Sequence, residues 1–479
     1  MQNRGLLLGS EEVVNQDIQE VLNPATRAVV GTFPMASADA VDNAVRICTQ
    51  AQPAWGRKSI DSRSAVLSSA AALIDTHAQE IAQVLTLEQG KPIADAVKEV
   101  RFSAEVFRYY ARNTEVLSEQ QRRTVSQGIH SLVRRAPIGV VAGIVPWNYP
   151  VDLWAWKVAP ALIAGNAIVM KPPIESPLAA GMVARLLYEA GLPDGVLCDI
   201  PGGIEAGRAI ASHPEIDAIS ATCSTAAGVS IMRDAAATMK RLTLELGGNC
   251  PLVVLDDADI RLAAAAATRR SFSNTGQICI AVNRIIVQGG VADEFAAAMV
   301  DAVNQIRVGD GMHPDVTMGP ATTDAVRVKA RSHIDDALSR GAQVLPTAQL
   351  DEEIANSSGF FMAPAVLDHV PEAALIAREE TFGPAVGILR VDSDAEALRI
   401  ANDSIYGLAA YVYTSDEQRG QRFARELEYG GVGVNVNDVT ELDAPFGGWK
   451  MSGFGRDLGP EGLIAMTEMQ HIRSQRRPG

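Results

Sequence analysis

The chain lacks the features that define several protein classes. Its five cysteines are scattered with no Cys-x-x-Cys pair, so neither a disulfide framework nor a cysteine-based zinc site is expected. Its seven histidines show no ligand spacing such as His-Glu-x-x-His, and no metal is predicted. No apolar run approaches ~18 residues, so we expect no membrane span. The three leucines at 6–8 are too short for a signal peptide, which favours the cytoplasm.

Positive charge is also in deficit, with 42 Lys and Arg against 57 Asp and Glu and a net charge of −15. This balance argues against a nucleic-acid or anionic-membrane partner. The 479 residues correspond to two to four domains at roughly 100–200 residues each. A chain of this length can bury a large core without covalent cross-links.

The chain changes its pattern along its length. Residues 1–35 are mixed and irregular, and helical spacing dominates from Ser37 to about residue 117. Residues 118–135 are polar and basic with strand-like pieces, which indicates an exposed hairpin, an arm reaching another subunit or a solvated charged surface. From Ile138, and again from Pro251, short apolar runs alternate with helical patterns. That rhythm predicts an α/β protein with two parallel sheets.

A single cysteine lies in the stretch Phe-Ser-Asn-Thr-Gly-Gln-Ile-Cys-Ile at 272–280. The Asn-Thr-Gly before it is typical of a turn, and a buried strand is predicted from Val282. Cys279 is therefore placed where a loop meets a strand, a position at which reactive groups are often presented. A lone cysteine can equally be a small core residue.

Two further polar residues follow predicted strands. Asn148 lies in Pro-Trp-Asn-Tyr-Pro, where two prolines stiffen a turn and the amide could serve an oxyanion hole. It could also form a structural Asx turn. Glu245 precedes a Gly-Gly turn, where a carboxylate can act as a general base or remain solvated.

Other segments have the chemistry that a nucleotide requires. Lys171 ends a strand and could bind a ribose or phosphate, although most such lysines face water. The Glu-Glu-Thr-Phe-Gly-Pro segment at 379–384 could bind a ribose hydroxyl, and an ordinary charged loop would look the same. Gly202 and Gly203 precede a predicted helix and could admit a pyrophosphate, but they do not match Gly-x-Gly-x-x-Gly.

Together these segments resemble the NAD(P)-dependent aldehyde dehydrogenase superfamily of the non-acylating, hydrolytic type. The resemblance runs from about residue 20 to 470. It is carried by five motifs in order, namely PWNYP at 146–150, LELGG at 244–248, GQIC at 276–279, EETFGP at 379–384 and PFGGWKMSGFGRDLG at 445–459.

The resemblance implies a role for each matching position. Cys279 matches the thiol that adds to the aldehyde and later carries a thioester. Asn148 matches the oxyanion hole, Glu245 the base that activates water, and Lys157 a lysine with a secondary role near the site. CoA-acylating relatives lack the glutamate, so Glu245 favours hydrolysis to a free acid.

The resemblance also implies two binding surfaces. The NAD or NADP pocket should include Ile144, Trp147, Lys171, Gly203, Ser224, Glu380 and Phe382. The substrate channel for a small-molecule aldehyde should be lined by Tyr149, Leu153, Trp156, Ile278, Ile280 and Phe446.

The family architecture implies an aldehyde-dehydrogenase-like α/β fold. We expect a Rossmann-type cofactor-binding domain at 1–117 and 137–250 and a second α/β catalytic domain at 251–446. A small β oligomerisation arm and tail should occupy 118–136 and 447–479, building a homodimer or homotetramer.

The sequence departs from the family pattern at two positions. Ile174 stands where the family has a glutamate that holds the adenine ribose, and Glu175 is out of register by one residue. An isoleucine does not repel a 2′-phosphate, so we predict that NADP is tolerated, with a rearranged Glu175 as the competing possibility. Cys223 replaces a glycine near the expected pyrophosphate.

The substrate is the least determined feature. Ser273 stands where some succinate-semialdehyde enzymes have an arginine, which argues mildly against a dicarboxylic semialdehyde. Other segments lean toward a small or hydroxylated aldehyde, with a semialdehyde still open. The alternatives are a CoA-acylating or esterase-type member of this fold and a non-catalytic binding protein on the same scaffold.

Overall fold

The computed structural model describes residues 2–124 and 128–475 and contains two α/β units and a small antiparallel arm. Ser37 caps the first helix as predicted, accepting a hydrogen bond from the Ala40 N–H at 3.2 Å. The α-helices span Ala38–Gly56, Ile60–Thr76, Ala78–Gln89, Ile93–Arg112, Asp152–Ala164, Leu178–Glu189, Ile204–Ser212, Thr225–Ala235, Ile260–Phe272, Gly289–Val303, Asp324–Ser339, Glu352–Ala355, Leu375–Arg378, Asp394–Asn402, Glu417–Glu426 and Gly459–Ala465.

The first sheet carries two of the three segments assigned above to nucleotide binding, those of Lys171 and of Gly202 and Gly203, whereas the 379–384 segment leads into the second sheet. Its five central strands are parallel and almost wholly buried, so they read as continuous apolar runs. The carboxyl ends of these strands meet at one edge, where ligands bind in open α/β sheets. In spatial order its strands are Gly453–Phe454, Arg241–Glu245, Ala218–Thr222, Val140–Ile144, Ala167–Lys171, Leu197–Asp199, Leu6–Leu8 and Glu11–Val13.

The second sheet corresponds to the second alternating series. All its neighbours are parallel except the first pair. In spatial order its strands are Gln343–Val344, Ala365–Asp368, Ala385–Val391, Val282–Gln288, Cys250–Val254, Ala409–Tyr413 and Gly431–Val434. The α/β class with two sheets is therefore confirmed.

The N-terminal segment differs from the irregular structure expected for residues 1–35. Gln2–Asn3, Ile18–Leu22 and Val29–Pro34 form a three-stranded sheet, and two further strands join the first sheet. These strands are two to six residues long, too short for an alternating pattern to be visible. Long-range contacts hold them, since Arg4 forms a buried 2.6 Å ion pair with Asp199.

The basic stretch forms strands, as its strand-like pieces predict, and whether they reach another subunit stays a prediction. Gln120–Arg122, Ile129–Pro137 and Thr467–Gln475 make a three-stranded antiparallel sheet. Part of the predicted arm, residues 125–127 and 476–479, lies outside the described residues. The domain boundaries stay a prediction. A small two-stranded sheet joins Tyr406–Gly407 to Trp449–Lys450.

A buried arginine ties the second sheet to the helices around it. Arg284, 1% exposed, lies on the strand that follows the Cys279 loop. It donates to the carbonyls of Ile400 and Ala401 at 2.7 and 2.8 Å and to the Tyr429 hydroxyl at 2.8 Å. These bonds satisfy acceptors that burial would otherwise make costly.

We predict that Arg284→Met lowers the free energy of unfolding by about 2–5 kcal/mol, because buried acceptors lose their donor. Thermal melts should therefore give a melting temperature several degrees below that of the parent. Arg307→Met is the matched control, since that side chain is 69% exposed. Equal melting temperatures for the two variants would contradict the structural role of Arg284.

Candidate active site

The turn before Cys279 has an unusual backbone. Asn274, Thr275 and Gly276 have φ values of 48°, 60° and 71°. A positive φ is costly for a β-branched threonine and persists only when surrounding contacts impose it. The Thr275 hydroxyl donates to the Gly319 carbonyl at 2.9 Å. A Cβ at position 276 would lie 2.3 Å from the Gly383 carbonyl oxygen, so only glycine fits there.

The Asn148 loop is joined directly to this turn. The Asn148 side-chain amide donates from Nδ2 to the Gln277 carbonyl at 2.9 Å. In return, Asn274 Nδ2 donates to the Asn148 main-chain carbonyl at 2.9 Å. One loop follows a strand of the first sheet and the other precedes a strand of the second. The two sheets therefore meet through hydrogen bonds around Asn148.

Glu245 approaches the Cys279 turn from another strand of the first sheet. It ends Arg241–Glu245, and the Gly247-Gly248 turn follows. A Cβ on Gly248 would lie 2.3 Å from the Cys279 carbonyl oxygen, so glycine permits this close approach. The Gly248 N–H donates to Glu380 Oε1 at 3.0 Å, which brings the 379–384 segment against the same turn.

Two cavities, of about 480 and 400 Å³, meet at the thiol. Cys279, Asn148 and Thr222 line both of them, and Glu245 lines the larger one. The three residues predicted to be catalytic are thus brought together, although Cys279 is 131 residues from Asn148 in sequence. A group at this junction can contact ligands bound on both sides.

The larger cavity contains the whole predicted substrate channel. The Trp156 and Phe446 rings pack edge to face with centroids 5.1 Å apart. Ser273 lines it as well. The predicted channel residues that line it are Tyr149, Leu153, Trp156, Ile278, Ile280 and Phe446.

Charged residues of this cavity were missed from the sequence. Asp152 accepts a hydrogen bond from Trp156 Nε1 at 2.8 Å, and burial raises its pKa well above the usual range. Arg270 is buried and pairs with Asp438 at 2.6 Å. A signal for Asp152 did exist, since it is a carboxylate at the start of a helix that is apolar except for Lys157.

The smaller cavity gathers four of the seven predicted cofactor residues, namely Trp147, Ser224, Glu380 and Phe382. The other three, Ile144, Lys171 and Gly203, adjoin it without lining it. Ile144 pairs with Lys171 between neighbouring parallel strands. Lys171 Nζ donates to the Gly202 carbonyl at 2.8 Å, just before the helix that Gly203 precedes.

Both departures from the family pattern are visible at this cavity. Ile174 is 37% exposed, whereas Glu175 lines the cavity. Burial raises the pKa of Glu175, and the Lys171 charge opposes that rise. Cys223 also lines the cavity, immediately before the N-cap Ser224 of the helix Thr225–Ala235.

Lys157 lies close enough to Glu245 to act on its charge. It is fully buried and forms an ion pair with Asp457, a residue of the C-terminal motif that was not singled out from the sequence. Both carboxyl oxygens of Glu245 lack a hydrogen-bond partner within the described part of the chain. Burial raises the pKa of Glu245 well above its usual range, the Asp457 charge adds to this, and Lys157 opposes it. Burial therefore favours the neutral acid form of Glu245.

The thiol is neutral as well. Burial raises the pKa of Cys279 far above its ordinary value, and the nearby Cys250, Glu380 and Glu245 raise it further. The thiolate is the nucleophilic form, so the resting site holds Cys279 in its less reactive state.

The smaller cavity fits a dinucleotide. The Trp147 and Phe382 rings lie edge to face, 5.4 Å apart, beside the Glu380 carboxyl, whose pKa burial raises to about 7. The helix N-terminus at Ser224 offers backbone N–H groups suited to phosphate. Aromatic faces, a carboxyl for hydroxyls and a helix N-terminus together match the parts of a nicotinamide dinucleotide.

The described residues contain neither a metal site nor a membrane-spanning helix. Residues 2–124 and 128–475 contain no group of three or more His, Cys, Asp or Glu side chains placed to hold a metal ion. Within the same ranges, no helix is long and apolar enough to cross a bilayer.

Comparison with known proteins gives a consistent result. The family model described as "Aldehyde dehydrogenase family" matches residues 12–472. A probable succinate-semialdehyde dehydrogenase [NADP(+)] of Sinorhizobium fredii is 39% identical over 455 residues, covering 94% of this chain and 92% of the relative.

Two solved structures superpose closely. The succinate-semialdehyde dehydrogenase of Burkholderia pseudomallei has a TM-score of 0.96 at 36% identity, with 99% and 98% of the two chains covered. The betaine aldehyde dehydrogenase of Staphylococcus aureus in complex with NAD+ has a TM-score of 0.96 at 32% identity, with 100% and 96% covered.

The chain belongs to the aldehyde dehydrogenase family. It is an NAD(P)-dependent enzyme that oxidises a small aldehyde by cysteine chemistry, with a nicotinamide dinucleotide as cofactor. The resemblance and the fold inferred from the sequence motifs are thereby confirmed.

We predict that alkylation of Cys279 by iodoacetamide accelerates about tenfold per pH unit from about pH 7 to pH 10 without a plateau, since a raised pKa keeps the thiolate fraction small. Peptide mass spectrometry distinguishes Cys279 from the other cysteines. Glutathione in the same buffers is the control for an ordinary thiol. A plateau for Cys279 between about pH 6 and pH 8 would contradict the neutral resting thiol.

Proposed function

We propose that this enzyme converts a small polar aldehyde to the free acid, with Cys279 as nucleophile, Asn148 as oxyanion donor and Glu245 as the base for hydrolysis. The observation that carries the proposal is the position of the Cys279 thiol where the two cavities meet, with Asn148 at both and Glu245 in the larger. Lys157, buried against Asp457, has a secondary role beside Glu245.

In the first half of the reaction, the Cys279 sulfur bonds to the aldehyde carbon as the thiol proton passes to solvent water in the cavity. The carbonyl oxygen becomes an oxyanion. One Asn148 Nδ2 hydrogen is held by Gln277, which leaves the second for that oxygen. The bound nicotinamide supplies the hydride acceptor. Loss of the hydride from the carbon leaves an acyl thioester on Cys279.

In the second half, Glu245 removes a proton from water as the water oxygen bonds to the thioester carbon. The carbon–sulfur bond then breaks, and the carboxylic acid and the Cys279 thiolate are released. Because burial raises the pKa of Glu245, its basic form becomes more abundant as the pH rises. Lys157 favours that ionised form.

The cavity supports a small substrate with a polar group, either a hydroxylated aldehyde or a semialdehyde. The predicted channel residues give it an apolar and aromatic part, and the rest of its wall is polar or charged, with Asp152, Ser273 and Arg270 among these residues. The named relatives include succinate-semialdehyde enzymes, which have to bind a carboxylate. Arg270 could bind the substrate carboxylate in this enzyme, since it lies one helical turn before Ser273. Its guanidinium already forms an ion pair with Asp438.

We propose that NADP is accepted. Ile174 places no carboxylate where a 2′-phosphate would be repelled, and the Sinorhizobium relative is named for NADP(+). The presence of Glu175 on the cavity wall keeps NAD preference as the competing outcome.

The exposed surface of the arm bears on the oligomeric state. The arm has exposed apolar residues on an edge strand, with Met469 63% and Ile472 39% exposed. An exposed edge strand is suited to contact with another subunit, which supports a homodimer or homotetramer. We also propose a cytoplasmic location and the domain boundaries that the sequence predicts.

We predict that Cys279→Ala lowers NAD(P)H production by at least about 10³-fold on every aldehyde that the parent oxidises. The panel contains glycolaldehyde, lactaldehyde, succinic semialdehyde, an aminoaldehyde, hexanal and benzaldehyde, each with NAD and with NADP. Cys48→Ala, a buried cysteine of the core, is the control.

Product analysis with and without CoA completes this test. Free acid in both conditions fits the hydrolytic reaction, whereas an acyl-CoA product would identify the acylating alternative. Unchanged turnover in Cys279→Ala would overturn the proposed nucleophile. A folded parent inactive on the whole panel would favour the binding-protein alternative.

We predict that Ile174→Glu lowers kcat/KM with NADP by about tenfold or more relative to NAD, because a carboxylate repels the 2′-phosphate and accepts from a 2′-hydroxyl. Titrating both cofactors with one aldehyde measures the ratio. Glu175→Gln is the paired variant. A ratio that changes only in Glu175→Gln would assign cofactor choice to Glu175 instead.

A further inference from the structure

A buried ion pair lies directly beneath the Asn148 loop. Lys91 and Glu99, whose side chains are each 1% exposed, contact each other next to the larger cavity. Lys91 follows the end of the helix Ala78–Gln89, and Glu99 lies within Ile93–Arg112. Burying two charges is costly, and the cost is recovered only where good geometry and further hydrogen bonds exist.

The Lys91 ammonium makes three polar contacts. One hydrogen points to Glu99. A second is donated to the Asn148 main-chain carbonyl at 2.8 Å. The ammonium also lies 3.9 Å from the centre of the Tyr149 ring, within the range of a cation–π contact. Lys91 therefore contacts two consecutive residues of the Asn148 loop.

Glu99 holds the other end of the same loop. Its Oε1 accepts from the Val151 N–H at 3.0 Å and from the Asp152 N–H at 3.3 Å. These N–H groups open the helix Asp152–Ala164 and have no partner within that helix. A carboxylate at this position also suits the helix dipole.

The Lys91–Glu99 pair belongs to a buried polar network that also reaches Asn148 through Asn274. The Lys91 N–H donates to Gln89 Oε1 at 2.9 Å, and Gln89 Nε2 donates to Asn274 Oδ1 at 3.0 Å. Asn274 in turn donates to the Asn148 carbonyl, which thus receives two hydrogen bonds. These two hydrogen bonds fix the plane of the main-chain peptide group that follows Asn148. That plane sets the direction in which the Asn148 side-chain amide extends.

We propose that Lys91 and Glu99 are a positioning pair that sets the direction of the Asn148 amide toward the oxyanion. The proposal rests on the role proposed for Asn148 above. Neither residue needs to touch the reacting atoms. The pair acts through the loop backbone, because a small rotation of the Asn148 peptide would move its Nδ2 hydrogen away from the oxygen.

The test uses the double variant Lys91→Met/Glu99→Gln. It removes the ammonium, leaves no buried unpaired charge, and keeps an acceptor for the Val151 and Asp152 N–H groups. With the best aldehyde of the panel, kcat should fall about 10- to 100-fold, while the aldehyde KM changes by less than about threefold, because an oxyanion contact forms only in the transition state.

The decisive readout is the same double variant in an Asn148→Ala background. If the pair acts through the Asn148 amide, it should lower kcat there by less than about threefold. Losses that multiply would overturn the proposal. Asn148→Ala alone tests the underlying role, since an unchanged kcat in that variant would reject the Asn148 assignment whatever the pair does.

Two further variants guard against a general loss of structure. Arg4→Met/Asp199→Asn disrupts another buried ion pair, which contacts the helix Asp152–Ala164 through Trp154 but not the Asn148 loop. Its effect on kcat should be unaltered by Asn148→Ala. Should the Lys91→Met/Glu99→Gln protein not fold, Lys91→Gln/Glu99→Gln keeps N–H donors at position 91 without an unpaired charge and is judged by the same comparison.

Discussion

The hydrogen bonds between the Asn148 loop and the Cys279 turn are the contact on which the site depends. Each loop belongs to a different sheet, and neither sheet alone contains both Asn148 and Cys279. Asn148 donates to Gln277 while Asn274 donates back to Asn148, so the two loops cannot shift independently. The left-handed backbone at 274–276 is maintained by the same surroundings, which is the usual condition for strain at a functional site.

The electrostatics of the resting site follow from burial. Burial raises the pKa of both Cys279 and Glu245 and so favours their neutral forms. The buried Lys157–Asp457 pair has opposite effects on Glu245, since the lysine favours its charge and the aspartate opposes it. Neutral forms avoid two unpaired buried anions at one junction, and in the proposed mechanism each group has to lose its proton only for its own half of the reaction.

Much of this site could be predicted from the sequence because its parts lie in local motifs. Cys279, Asn148 and Glu245 each lie in or beside a turn with clear glycine or proline chemistry, and the channel residues are close neighbours of two of them. Lys91, Glu99 and Asp457 could not be found in this way. Their significance comes from contacts over tens to hundreds of residues, and a lysine before a proline or a glutamate in a helix has no distinctive local pattern. The N-terminal strands were missed for the same physical reason, since pairing partners distant in sequence hold them.

The central claim is that Cys279 carries the acyl group that Glu245-activated water removes. The most direct measurement is the intact mass of Glu245→Gln after mixing with NADP and the best aldehyde of the panel, followed by peptide mapping. The account predicts one acyl group per chain, bound to the peptide that contains Cys279, with about one equivalent of NADPH formed before turnover slows. Stoichiometric NADPH with no added mass on that peptide, or an acyl group on a different residue, would contradict it.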